Sequence, residues 1–167
     1  MRTAAPSAAL FALALAACTQ TVPAPTADPS PPTLRWRIEN LSNGSDVTIR
    51  GSGTAAAQRG QNLRVTLIAD DPEGVRRIEL AGGFATDCRF AGAGAAASGV
   101  YPLQRQVLAP DARNMVLPSI FLQKEVAAPS ECPPGGEFLS ARVTLRGTGE
   151  NFFLGRAQET LEIQVSP

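Results

Sequence analysis

The sequence predicts an all-β domain, an antiparallel β-sandwich of about seven to nine short strands. Three observations carry that prediction. Apolar and polar residues alternate with a period of two in segment after segment. Clusters of Gly, Pro, Asn and Asp separate those segments at turn spacing. Beyond residue 17 no apolar stripe recurs at helical spacing.

The chain begins differently. Met1-Arg2 supply a positive end, and Ala8 to Ala17 form an uncharged apolar run. About ten apolar residues are too few to cross a bilayer but match the core of a signal peptide. The run Leu15-Ala16-Ala17-Cys18 that closes it resembles the lipobox of bacterial lipoproteins. In that family the cysteine is diacylated through its thiol and becomes the mature N-terminus. The resemblance implies a signal peptide at 1–17, lipidation at Cys18 and a membrane partner reached through that lipid. An ordinary secretory signal cleaved near Ala17 is the alternative. Thr19 stands where an Asp would imply inner-membrane retention, so the resemblance implies the outer membrane in a two-membrane host, and an outward-facing body in a host with one.

Residues 18–32 hold the lipid cysteine and a spacer. Pro23, Pro25, Pro29, Pro31 and Pro32 with Ala, Ser and Thr leave little to bury and favour extended polyproline II. The folded domain is expected from 33 to 167. Leu34, Trp36 and Ile38 alternate with Arg35, Arg37 and Glu39 as a first strand, and Val47 to Arg50 makes a second. Gly51 to Gln61 reads as a loop. Leu63, Val65, Leu67 and Ala69 define the clearest strand, Asp70 to Gly74 an acidic turn, and Val75 to Ala81 the next strand. After Gly82-Gly83, Phe84, Cys88 and Phe90 share one side of another. Ala91 to Gly99 reads as a mobile glycine-alanine loop. Val100 to Leu108 and Asn114 to Val126 are strands broken by Pro102 and Pro118, hence edge strands or bulged ones. Ala127 to Gly136 is a loop, Leu139 to Leu145 alternates inward, Gly147 to Asn151 turns, and Phe153 to Val165 closes the domain.

The run Val65 to Leu80, VTLIADDPEGVRRIEL, resembles the B–C strands of bacterial immunoglobulin-like and fibronectin-III-like modules. This likeness implies a fold and no activity, since such folds host many functions.

Composition then removes function classes. Formal net charge is zero, so neither nucleic acid nor an anionic lipid surface is implied as a partner. Histidine is absent, which removes Ser-His and Cys-His nucleophiles and the usual zinc and copper sites. No Ser-x-x-Lys or Gly-x-Ser-x-Gly occurs, and aromatics are only 5%, a poor basis for glycoside chemistry. No enzyme and no cofactor are expected. With Cys18 given to lipid, Cys88 and Cys132 remain as a pair in an oxidising compartment and are expected to form a disulfide between a middle strand and a loop. Two buried thiols are the alternative.

Asp70, Asp71 and Glu73 place three carboxylates within four residues, a weak calcium candidate that Asp46 could join; a turn capping its own backbone is the simpler reading. Of 15 basic residues only Lys124 is lysine, and Arg35, Arg37, Arg76 and Arg77 could clamp a carboxylate or phosphate, or pair with Glu39 and Glu79 on a solvated face. The segments 91–99 and 127–136 are candidate interaction loops or tolerated insertions. Together these readings lead to an extracytoplasmic, lipid-anchored lipoprotein acting as a non-catalytic binding or assembly module for an envelope protein. The alternatives are a small-ligand or carbohydrate carrier, with a cleft near Trp36, Phe84, Phe90 or Tyr101, and a structural stalk.

Overall fold

The computed structural model describes residues 30–90, 93–107 and 117–167. The signal peptide expected at 1–17, Cys18 and the expected spacer as far as residue 29 lie outside the described residues, as do the strand end expected at Leu108 and the strand start expected at Asn114. The described residues form nine strands: β1 (Thr33–Asn40), β2 (Asp46–Arg50), β3 (Gly53–Gln58), β4 (Asn62–Asp70), β5 (Val75–Phe90), β6 (Ala93–Val107), β7 (Ser119–Ala127), β8 (Glu137–Asn151) and β9 (Arg156–Ser166). They form a four-stranded sheet, β2-β1-β4-β7, facing a five-stranded one, β3-β9-β8-β5-β6. With β1, β4 and β7 as strands A, B and E, and β6, β5, β8 and β9 as C′, C, F and G, the order is that of an immunoglobulin-like sandwich. The run Val65 to Leu80 is its crossing from one sheet to the other.

Strict alternation fixes which side of each strand meets the core. Leu63, Val65, Leu67 and Ala69 of β4 are buried, as are Leu161, Ile163 and Val165 of β9. Across from them Leu34, Trp36 and Ile38 of β1 and Val143 and Leu145 of β8 complete one continuous cluster. Fully burying each large aliphatic side chain contributes about 1.5–3 kcal/mol.

Four expectations are corrected. Gly51 to Gln61 is not a loop. Gly51, at φ 70°, turns the chain out of β2, and β3 then runs parallel to β9, with Ala57 opposite Val165. The second sheet is therefore mixed, not wholly antiparallel. Gly82-Gly83 does not end a strand: β5 continues through it with a register shift between Leu80 and Gly82, because Gly82 lies against the Thr144 carbonyl where a Cβ would not fit. Ala91 to Gly99 is no loop from Ala93 onward, since Ala93 to Gly99 pairs in register with β5. Gly147 to Asn151 is no turn either: β8 runs on to Asn151, and the chain turns at 152–155.

One residue also changes sides. Phe138 is buried and Leu139 exposed, because a bulge opposite Asp87 and Cys88 shifts the register there. Pro102 behaves as its chemistry requires. It sits on edge strand β6, whose partner bears the Leu80/Gly82 irregularity.

At Gly147 an added Cβ would stand 2.7 Å from Leu67 Cδ1 and 2.9 Å from Trp36 Cη2. Gly147→Ala is expected to overpack the core and cost about 1–3 kcal/mol. Thermal unfolding monitored by circular dichroism reads this as a lowered Tm; an unchanged Tm would show that the core yields at that point.

Candidate functional site

The acidic turn is occupied by its own structure. Asp70 accepts from Arg35 Nε at 2.9 Å on the outer face of the first sheet. Asp71, 3% exposed, takes the Glu73 backbone N–H on Oδ1 and the Asn151 Nδ2 on Oδ2. Glu73 contributes that N–H to the turn. Among the described residues no group of three or more His, Cys, Asp or Glu side chains converges on a metal position. Asp46 does not join the turn: it lies opposite Glu39, whereas Asp70 lies opposite Thr33, six residues back along β1 and about 20 Å away.

Asn151 is the hub of that end of the sandwich. Fully buried, it donates to Asp71 and to the Ser30 carbonyl, while its Oδ1 accepts from the N–H groups of Phe153 and Gly155. The last spacer residues are thereby pinned to the domain, and Pro32 is buried beside Gly149.

The four arginines singled out in the sequence are paired, mostly with carboxylates far along the chain. Arg37 meets Asp46, and Arg64 lies between Glu39 and Glu125. Arg76, Arg77 and Arg156 converge on Glu150, whose side chain is only 5% exposed. Arg77 and Arg105 also hold Glu79, which accepts from the Thr148 hydroxyl. Several guanidinium forks thus surround one deeply placed carboxylate.

The aromatic residues separate into two groups. Trp36 is wholly buried in the core and lines no cleft. Phe84 and Tyr101 are partly buried with ring centroids 5.8 Å apart, and they line a groove of about 350 Å³ with Ala127, Ala128 and Glu131. Lys124 Nζ lies 5.5 Å from the Tyr101 ring centroid. Cys88 on β5 and Cys132 in the β7–β8 loop form a disulfide, so the loop wall of the groove is bound to the strand behind it. Phe90 stands beside this staple, near Gly136.

Edge strand β6 runs along the same side. From Ala93 to Gln104 it carries no charged residue, and Val100 is 87% exposed. The segment expected as a loop at 91–99 thus enters the site, from Ala93 onward, as a strand edge, and 127–136 enters it as a groove wall. The charge-free composition was visible in sequence, but its place on an edge was not. Phe121, 60% exposed on the outer face of β7, is the aromatic that sequence reasoning missed. Its signal was its place between the inward-facing Ile120 and Leu122.

No family model matches the chain, and no curated protein matches it. Among solved structures it is similar to Spo0M, a sporulation control protein from Bacillus subtilis, at 8% identity and a TM-score of 0.38. The alignment covers 81% of this chain and 50% of that one, so the chain spans about half the length of Spo0M. A likeness this distant bears on neither fold nor function. Among the described residues no helix is long and apolar enough to cross a membrane.

Burial raises the Tyr101 pKa above its ordinary 10.0. The fold favours the neutral phenol, so this contribution is complete below the ordinary value and is lost as pH rises through the raised one. Tyr101 is the only tyrosine, so absorbance titration near 295 nm reads it directly. Its midpoint is expected above 10 and should fall toward 10 in Phe84→Ala, which opens the groove. A midpoint at the ordinary value in the native protein would contradict the burial.

The disulfide spans 44 residues. Replacing both cysteines with Ser should cost about 4 kcal/mol in the chain-entropy account. Denaturant unfolding checks this, and a loss below about 1 kcal/mol would show that the staple adds little.

Proposed function

We propose that this chain is a lipid-anchored protein of the cell envelope, whose sandwich docks an extended segment of a partner protein by strand addition at β6, without catalysis of its own. The observation that carries this reading is the composition of that edge. Edge strands present unpaired N–H and C=O groups, and folded proteins ordinarily guard them with charges, short length or a covering segment. Here β6 is 15 residues long and charge-free over Ala93 to Gln104. Main-chain bonds along such an edge supply affinity, and side chains of the added strand supply specificity. The Cys88–Cys132 disulfide fits an oxidising, extracytoplasmic compartment. Anchoring through Cys18 rests on the Leu15-Ala16-Ala17-Cys18 motif. A small-ligand carrier is the second reading, and the groove beside Phe84 and Tyr101 favours it.

Val100→Lys tests the reading, because a charge on a docking edge opposes pairing while an exposed position tolerates the change within about 0.5 kcal/mol. Whole-cell crosslinking of the native protein is expected to capture a discrete partner. Val100→Lys should lose it while keeping the native Tm, and Cys18→Ser should lose both partner and membrane fractionation. Equal capture by native protein and Val100→Lys would rule out β6 as the docking edge.

A further inference from the structure

The turn between β8 and β9 presents large apolar side chains to solvent. It is built of Phe152, Phe153, Leu154 and Gly155. Leu154 is 60% exposed, both rings are half-buried, and among the described residues neither ring packs against the core cluster. We infer that this turn is a membrane contact, with Phe152, Phe153 and Leu154 inserted into the interfacial layer of a lipid bilayer. Three features point to that occupant. First, the fold gains nothing from Leu154. Its backbone stands at φ 67°, in the left-handed region that favours glycine, so the chain bears strain while a large apolar side chain faces outward.

Second, the backbone of the turn is ready to leave water. Asn151 Oδ1 accepts the N–H groups of Phe153 at 3.0 Å and Gly155 at 2.8 Å, and the Asn151 carbonyl accepts that of Leu154 at 3.2 Å. Amides satisfied inside the turn add little desolvation cost on entering lipid, where an unpaired N–H is penalised. Third, the turn lies where the chain enters the domain, because the same Asn151 side chain donates to the Ser30 carbonyl at 2.8 Å. This third feature rests on the lipid anchor proposed at Cys18. Fully extended, the chain from Cys18 to Ser30 spans at most about 40 Å, so an anchored domain keeps this end within reach of the bilayer. Phe and Leu are residues that settle at the boundary of headgroups and acyl chains. The zero formal charge asks for no anionic lipid, so the contact is apolar.

Fluorescence quenching tests this on the full-length protein reconstituted into vesicles of phosphatidylcholine brominated along its acyl chains. Trp36 is the only tryptophan and is wholly buried, so the native protein gives the unquenched reference. The emission added by Phe153→Trp is expected to fall about twofold in these vesicles, as a side chain at interfacial depth requires. Leu139→Trp, near the opposite end of β8, should lose none. Leu154→Gly should keep or raise the native Tm, since glycine accepts φ 67° without strain. A lowered Tm would give Leu154 a role in the fold and overturn the inference. Flotation with the vesicles reads the anchor separately: the native protein is expected to float and Cys18→Ser to stay behind. A Phe153→Trp protein that floats unquenched overturns the insertion and leaves the anchor standing. Flotation of Cys18→Ser equal to native, with Phe153→Trp quenched, removes the anchor and leaves the insertion standing. A native protein that does not float overturns both.

Discussion

Trp36 and the glycines that face it set the distance between the two sheets. The indole is wholly buried, and Leu67 and Trp36 together occupy the space where a side chain at position 147 would stand. One repeat of the pleat further on, Leu34 and Pro32 fill the space over Gly149 in the same way. The indole N–H finds no acceptor there, at a cost of about 1–3 kcal/mol. Its large buried area offsets that, and the area is available only because β8 presents no side chains under it. Since β8 is fixed against β1 over this length, it continues to Glu150 and Asn151, and those two residues organise the end of the sandwich.

This explains which parts of the sequence were legible. Alternation of large apolar residues located the strands wherever the inward positions were filled, as at Leu63 to Ala69 and Leu161 to Val165. It failed wherever an inward position was small because a partner side chain already filled the space. Gly147, Gly149 and the Gly82-Gly83 step read as turns, yet each is a close approach inside a strand. The information that distinguishes the two cases lies in Trp36, Leu67 and Leu145, far away in sequence. Ala55 and Ala57 failed for a related reason: β3 finds its hydrogen bonds in a parallel pairing with β9, more than 100 residues on.

The candidate sites divide along the same line. Cysteine counting gave the Cys88–Cys132 pair, because parity needs no geometry. The acidic turn was legible as a self-capping element, since Asp71 bonds a backbone N–H two residues away. The arginine partners were not legible: Arg35 pairs across 35 residues and Arg76 across 74. A neutral total charge hides the fact that carboxylates are consumed unevenly. Glu150 draws three guanidinium groups into one cluster, while Arg35, Arg37 and Arg64 meet four carboxylates, Asp70, Asp46, Glu39 and Glu125. Surface ion pairs of this kind add little stability each. Their consequence here is orientation, because a paired fork holds one direction.

The two ends of the sandwich have different chemistry. Asn151 grips the Ser30 carbonyl beside Asp71, so the chain enters the domain at the end where β5 begins. The disulfide, Phe90 and the β7–β8 loop lie at the other end of β5, 15 residues on and about 50 Å away along the strand. The polar Asp71–Asn151 network therefore marks the end at which the chain enters, and the stapled end is the far one. Edge β6 runs from the stapled end back toward the end of the Asp71–Asn151 network. The staple ties the end of β5 to the loop that follows β7 of the facing sheet. Without that link the long β5–β6 hairpin would depend at its tip on pairing with β8 alone, and an open edge is useful for docking only if the sheet behind it holds still.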